Sequence, residues 1–316
     1  MGTSAIASSN LKAPHRPPAA RFEQMEIHRL DREHELERLR EFLSETDPRD
    51  YLLEDIDEWT REGRLSVGVD EGSWVAFGRV HDLGHGEGWV SGLRVDRSRR
   101  RQGIGSWLLS GMLSDARSMG LTEFRAVIED KNLASRRLFE RHGFLPTFAM
   151  TLRGARAGTA GTGPLRLART GDRLDGPIEW VPSLAGRVDL LPGEEGGRFG
   201  RWDPSIVDRW IQEGKLFLGP RLAVAIQVDW LREPRTMWVT PLRGEAGALL
   251  PAIGVLAKTL GQDAWQAFLP STDHLRQVYA DLGLRPHPFW GDCVHLYEQA
   301  DATSASPEGR APFAVR

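Results

Sequence analysis

Two stretches of this chain, DEWTREGRL (57–65) and DRWIQEGKL (208–216), agree at five of nine positions, Trp59 and Trp210 among them. Each leads into a pair of strand-like segments, SVGVDEGSWVAFGRV in the first case and FLGPRLAVAIQV in the second. Further along, SMGLTEFRAVI (118–128) parallels TLGQDAWQAFL (259–269), and RLFERHGFLP (137–146) parallels QVYADLGLRP (277–286). A single match of this kind carries little. Four in the same order argue for a duplicated domain, and a period of about 140 to 150 residues means a tandem pair and not a solenoid.

The 316 residues suffice for two domains, and 40% hydrophobic with 27% charged residues is ordinary for a globular protein. Cys293 is the only cysteine, so no internal disulfide forms and a cytoplasmic location is expected; the residue reads as a small apolar strand position. A net charge of −3 argues against general nucleic-acid binding. No apolar run reaches the 18 residues or more of a membrane span. Residues 1–21 are rich in Ala, Ser and Pro without the apolar centre of a signal peptide, and Ile6 stands where N-myristoylation wants Ser or Thr. They read as a disordered tail, and 301–316 as a second.

The first copy, 22–153, alternates in type. MEIHRL is strand-like; DREHELERLREFLSE carries Leu36, Leu39 and Leu43 at helical spacing; LLEDIDEWTREG is a second helix stopped at Gly63. RLSVGVD and SWVAFGRVHD, split by Glu71-Gly72, predict a hairpin, and WVSGLRVD a further strand with Gly92 inside it. Leu108, Leu109, Met112, Leu113 and Ala116 predict a helix ending at Gly120. FRAVIE is a strand, NLASRRLFERHG a helix closed by Gly143, and FAMTL a last strand. The predicted order is β-α-α-β-β-β-α-β-α-β. RGARAGTAGTGP is poor in apolar residues, so 154–170 reads as a linker and 171–300 as the second domain.

Between a strand and a helix lies RSRRRQGIGSWLL (97–109), positive charge followed by two glycines. The first turn of a helix points free N–H groups outward, its dipole adds positive potential, and arginines supply charge-assisted donors. Such a turn holds a phosphate or pyrophosphate. It is not a Walker loop, since no Lys follows the glycines, nor a dinucleotide fingerprint, since Leu108 fills the third glycine position.

The sequence Arg100-Arg101-Gln102-Gly103-Ile104-Gly105 resembles the pyrophosphate loop of the GNAT acetyltransferase superfamily. Asn132, Ala134, Leu138, Phe139, Gly143 and Phe144 resemble that family's second motif, so the likeness covers about 25–153. The resemblance implies an α/β (α+β) fold of two tandem GNAT-like domains. Each would have a mixed, mostly antiparallel central sheet, helices on both faces and splayed central strands, with Gly92 marking the strand bulge. It implies acetyl-CoA as co-substrate and no metal. Leu93, Arg94 and Val95 would contact the pantetheine arm and acetyl carbonyl; Arg100, Arg101, Gln102, Gly103, Ile104, Gly105 and Ser106 would form the pyrophosphate loop; Asn132 would bond the arm, a duty compatible with a plain helix N-cap. Phe139, also on the cofactor side, stands where many members carry a Tyr that protonates the leaving sulfur.

The family's usual carboxylate positions correspond to Trp89 and Val127. Glu87, two residues before Trp89 and on the same strand face, is the candidate base, and Glu129 ranks next. His81 and His85 are four apart, but Gly84 and Gly86 make their segment a hairpin loop and not a metal site.

The second copy keeps Gly244 and Ala246 but has Pro241 in place of the loop arginine, Thr272 or Asp273 in place of Asn132, and Tyr279 near the place of Phe139. It is expected not to bind acetyl-CoA but to replace the partner subunit of a dimeric relative, leaving a monomer. Trp230, Trp238, Trp265, Phe289 and Trp290 read mostly as core. The function so implied is acetyl transfer from acetyl-CoA to a primary amine of a small molecule, peptide or protein, in the N-terminal domain. The alternative is a non-catalytic acyl-CoA-binding sensor or scaffold. Asp55, Asp57 and Glu58 would suit a cationic acceptor, and suit a solvated helix face equally. Neither nucleic acid nor membrane is an expected partner.

Overall fold

A computed structural model describes residues 22–61, 63–158, 163–174, 190–192, 198–201, 204–228, 235–288, 290 and 292–300. The two expected tails, Trp230, Phe289 and positions 159–162 of the expected linker lie outside the described residues. The elements are β1 (Met25–Arg29), α1 (Arg32–Thr46), α2 (Leu52–Trp59), β2 (Arg64–Asp70), β3 (Ser73–Gly84), β4 (Glu87–Val95), α3 (Ile104–Ser118), β5 (Glu123–Glu129), α4 (Leu133–Arg141) and β6 (Leu145–Arg156). They continue with β7 (Arg166–Leu167), β8 (Leu190–Pro192), β9 (Phe199–Arg201), α5 (Pro204–Gln212), β10 (Leu216–Gly219), β11 (Leu222–Val228) and β12 (Thr236–Arg243). The last are α6 (Ala246–Thr259), β13 (Ala264–Pro270), α7 (Asp273–Asp281), β14 (Arg285–Pro286) and β15 (Val294–Ala300). From β1 to β6 the order is the one the sequence predicts. Within the stretch read as linker, β6 runs on to Arg156 and β7 pairs with β10.

The chain forms two compact units. One comprises the described residues up to Arg79 together with Gly92–Asp115; the other comprises Val80–Ser91 and those from Ala116 onward.

In the first unit the strands follow β1-β2-β3-β4, with β1 antiparallel to β2 from Met25↔Asp70 to Arg29↔Ser66. Strand side chains alternate between faces. Leu65 and Val67 of β2 and Phe77 of β3 pack with Leu39 and Leu43 of α1 and Leu52 and Ile56 of α2. Each such fully buried side chain contributes roughly 1.5–3 kcal/mol of transfer free energy. On the other face small residues seat α3: a Cβ on Gly68 would come 2.7 Å from the Trp107 ring, and one on Gly78 2.7 Å from the Met112 sulfur. Helix α1 starts where the sequence places it. The Asp31 carboxylate accepts the Glu33 N–H at 3.0 Å, and Glu35 returns the favour to the Asp31 N–H at 2.8 Å.

In the second unit β4 meets β5 in parallel over only three pairs, Glu87↔Glu123 to Trp89↔Arg125, although β5 continues to Glu129. The far edge of β5 carries β15, antiparallel along its whole length from Val294↔Glu129 to Ala300↔Glu123. The other edge of β15 carries β6, and β6 in turn pairs with β13 from Met150↔Pro270 to Arg156↔Ala264. The final strands of the two sequence copies are thus exchanged: β15 lies on β5 and β6 lies on β13. The second copy repeats the first in order. Strands β10, β11 and β12 are antiparallel, α6 follows, and β12 meets β13 in parallel over three pairs, Thr236↔Ala264 to Trp238↔Gln266. Trp210, Trp265 and Tyr279 are fully buried in its core. A second cluster gathers Trp89, Phe199, Phe268, Met150, Leu152, Val294 and Leu296, with Trp238 and Trp290 packed partly buried against it.

Candidate active site

In the first unit the strand, loop and helix occupy consecutive residues. Gly92 has φ +66°, a left-handed conformation inside β4 that a side chain resists, as a bulge requires. Leu93, Arg94 and Val95 follow, each partly buried. Arg94 is fixed sideways: its guanidinium forks onto Asp50, with one N–H 2.9 Å from Oδ1, and lies over the Tyr51 ring at 5.4 Å. The same Asp50 carboxylate accepts the Leu52 N–H at 3.1 Å and so caps α2. Pairing with Asp50 outweighs burial and raises the Arg94 pKa further.

Asp96 folds the next turn. Its carboxylate accepts the Ser98 N–H at 2.7 Å and the Ser98 hydroxyl at 2.8 Å. Arg99 is committed to Asp70, whereas Arg100 and Arg101 are exposed. Arg101 has φ +63° and Gly103 φ +87°. The left-handed region costs a non-glycine residue about 1–2 kcal/mol, and such outliers persist where the surroundings impose them. The Gly103 carbonyl accepts the Ser106 and Trp107 N–H groups at 3.0 Å each, and buried Ile104 anchors the turn. A helix opening here leaves first-turn N–H groups without helical acceptors, beside two exposed guanidinium groups. Gln102, Gly103, Gly105 and Ser106 are partly buried around it. Chemically this is a cradle for a multiply charged anion.

In the second unit Glu87 is not the open carboxylate expected of a base. It is 2% exposed and paired with Arg125 at 2.7 Å. Arg125 also binds Glu123 at 3.2 Å and Glu298 at 2.8 Å. A carboxylate so placed accepts a proton only by giving up a buried ion pair. Trp89 is buried with its ring centroid 6.3 Å from that of Phe199, and Val127 packs on the same apolar cluster. Asn132 caps α4, its Oδ1 accepting the Ser135 N–H at 3.1 Å, and its side-chain amide N–H groups are not part of that cap. Phe139, expected at the cofactor, is a core residue, edge-on to Phe144 at 4.9 Å. Glu129 is partly buried at the end of β5.

Sequence reading missed Arg125 and Glu298. Arg125, between apolar neighbours in a strand, was a visible signal that a carboxylate must meet it. Glu298 comes from 173 residues away, and no local pattern announces it. Burial pushes the Cys293 thiol up, and the His295 Nε2 that lies 3.8 Å from its sulfur is the same nitrogen that meets Asp130 at 3.1 Å. His81 pairs with Arg198 at 3.0 Å, and among the described residues no group of three or more His, Cys, Asp or Glu could hold a metal ion. Asp57 lies beside Arg40, and the Asp55 and Glu58 side chains are outside what is described. No described helix is long and apolar enough to cross a membrane.

The model of the acetyltransferase (GNAT) family matches residues 30–144. No curated protein sequence matches the chain. A GCN5-related N-acetyltransferase from Sphaerobacter thermophilus is 14% identical, with a TM-score of 0.57 over 88% of this chain and 96% of that one. A Pyrococcus horikoshii protein assigned to the acetyltransferases is 11% identical, with a TM-score of 0.57 over 88% of this chain and 90% of that one. At these identities the likeness is one of fold, and it spans both sequence copies. Residues 30–144 thus match the acetyltransferase (GNAT) family, in a chain that shares the fold of these acetyltransferase structures.

Proposed function

We propose that the chain is an acetyl-CoA-dependent N-acetyltransferase whose co-substrate pyrophosphate sits on the Arg100–Ser106 turn, and whose acceptor is a primary amine of a small molecule, peptide or protein. The observation that carries this reading is the turn itself: Arg101 and Gly103, both at positive φ, present the start of α3 beside two exposed arginines. The pantetheine arm would follow the backbone of Leu93–Val95. The amine nitrogen attacks the thioester carbonyl, the C–N bond forms, the C–S bond breaks, and the amine proton leaves with the thiolate or to solvent.

Two routes free the amine of its proton. Glu87 can take it through water at the expense of its pairing with Arg125, or the amine arrives neutral. The geometry favours the second. The second copy would serve as the built-in replacement for a partner subunit, a reading supported by the exchange of β6 and β15. The alternative, an acyl-CoA-binding module without turnover, draws on specific observations: Trp89 and Val127 at the carboxylate positions, and Phe139 locked in the core.

Isothermal titration of acetyl-CoA against wild type and a Gly103→Glu/Gly105→Glu double variant tests the reading. One-to-one binding that is abolished in the variant supports it. No binding by the wild type ends it. An amine-library screen on the binding-competent protein then separates enzyme from module.

A further inference from the structure

Within the second unit, Arg153 of β6 stands opposite Ala267 of β13, with Thr151 opposite Leu269 and Ala155 opposite Trp265. Residues paired across an antiparallel ladder share a face. Trp265, Ala267 and Leu269 belong to the apolar cluster that encloses Tyr279 of α7, so the Arg153 side chain enters an apolar face. It is only 8% exposed. Its Nε donates to the Thr151 hydroxyl at 3.0 Å. Among the described residues the carboxylate paired with it is Asp292, 3.9 Å away and itself 71% exposed. Burying a guanidinium costs far more than one loose, solvated partner returns.

Tyr279 is fully buried, and its hydroxyl has no hydrogen-bond partner among the described residues. Nearly all buried polar groups are paired, so such an orphan needs a reason. Burial pushes the Tyr279 phenol up and the Arg153 charge draws it partly back, so the two groups lie within electrostatic reach without a bond between them. Ala267 is also the first residue of β13 past its last pair with β12, Trp238↔Gln266, so these groups gather where the two strands part.

The parallel positions elsewhere in the chain show that the fold does not require this pair. Matching 118–128 with 259–269 sets Ala126 against Ala267, and matching 137–146 with 277–286 sets Phe139 against Tyr279. Opposite Ala126 stands Tyr297, whose hydroxyl accepts from Arg136 Nε at 3.0 Å and donates to Glu140 at 3.2 Å. Phe139 has no polar atom to satisfy. One set is closed, and the other holds an under-paired cation and an unpaired donor.

We propose that Arg153, Tyr279 and Thr151 form a binding site for a small carboxylate, whose two oxygens take the Nη groups of Arg153 and the Tyr279 hydroxyl. All of these groups donate, and a guanidinium fork matches a carboxylate. With Asp292 as the sole competitor, one guanidinium has room for one negative charge, which favours a carboxylate over a doubly charged phosphate. The site does not rest on the reading of the Arg-Gly turn.

The test uses the full chain, with acetate, butyrate and benzoate as free acids and an N-acetylated tripeptide with a free or an amidated C-terminus. At least one carboxylate raises the wild-type melting temperature above that in sodium chloride of equal ionic strength, and titration calorimetry gives one-to-one binding. Binding confined to the free acids makes the ligand a small acid; binding of the tripeptide, lost on amidation, makes it a chain end. Arg153→Met weakens the binding about 100-fold or more, and Tyr279→Phe about five- to tenfold. Without carboxylate Tyr279→Phe melts no lower than wild type, because an unpartnered hydroxyl has no bond to lose. No binding by any carboxylate, an effect that sodium chloride reproduces, or an affinity unchanged in Arg153→Met overturns the proposal. So does a Tyr279→Phe protein that melts lower and binds as wild type does, since the hydroxyl would then be structural. Should Arg153→Met fail to fold, Tyr279→Phe decides alone by its affinity and its melt.

Discussion

At the scale of single residues the decisive fact is how charge is matched in the second unit. Arg125 is 3% exposed as a side chain and faces three carboxylates, of which Glu87 is equally buried. Removing one member of such a set leaves the others short of a partner in low dielectric, which is worth more than the net value of the pair. Glu87→Gln keeps the shape and a hydrogen-bond acceptor, so we expect a stability loss of about 1–2 kcal/mol in urea denaturation. With an amine that turns over, the rate at pH 8 falls less than about tenfold, below the usual worth of a general base. A fall of 100-fold or more, with loss of the acidic limb of the pH–rate profile, would restore Glu87 as the base.

At the scale of elements, the sheet is built around close backbone approach. Gly154 of β6 sits against β13, where a Cβ would lie 2.6 Å from the Trp265 carbonyl oxygen. That oxygen belongs to a strand ladder and cannot swing aside. Gly154→Ala should cost about 1–3 kcal/mol by forcing β6 and β13 apart. Gly247, in the first turn of α6, has nothing within 4 Å of its would-be Cβ, and Gly247→Ala should gain about 0.4–1 kcal/mol instead. Chemical denaturation of both variants checks the pair. Equal effects would mean that the β6–β13 ladder yields more easily than its geometry says.

At the scale of the molecule, the exchange of β6 and β15 binds the copies together more firmly than a linker could. Strand β5 has β15 as its long partner, and β15 ends the chain that is described. A fragment of residues 22–170 lacks β15 and leaves the β5 edge, with Phe124, Ala126, Val127 and Ile128, open for pairing with other chains. We expect such a fragment to aggregate on size-exclusion chromatography and to show no cooperative melt by circular dichroism. A monomeric fragment with a sharp melt would show that the first copy closes its own sheet.

What the sequence determined by itself is what neighbouring residues can settle. The order from β1 to β6 follows from apolar spacing and glycine stops. The Arg-Gly turn follows from Asp96, Gly103 and the helix start, which all lie within ten residues of one another. What only the tertiary structure decided depends on residues far apart in the chain. Which strand lies on β5 and which carboxylate joins Glu87 on Arg125 depend on residues from 294 to 300, and Glu87 itself is held by Arg125 from 38 positions away. The local alternation of Val294, His295 and Leu296 suits a strand at β15. It does not say against which edge the strand is laid, because every unpaired edge offers the same row of N–H and C=O groups. That choice is made by side-chain fit across the assembled sheet.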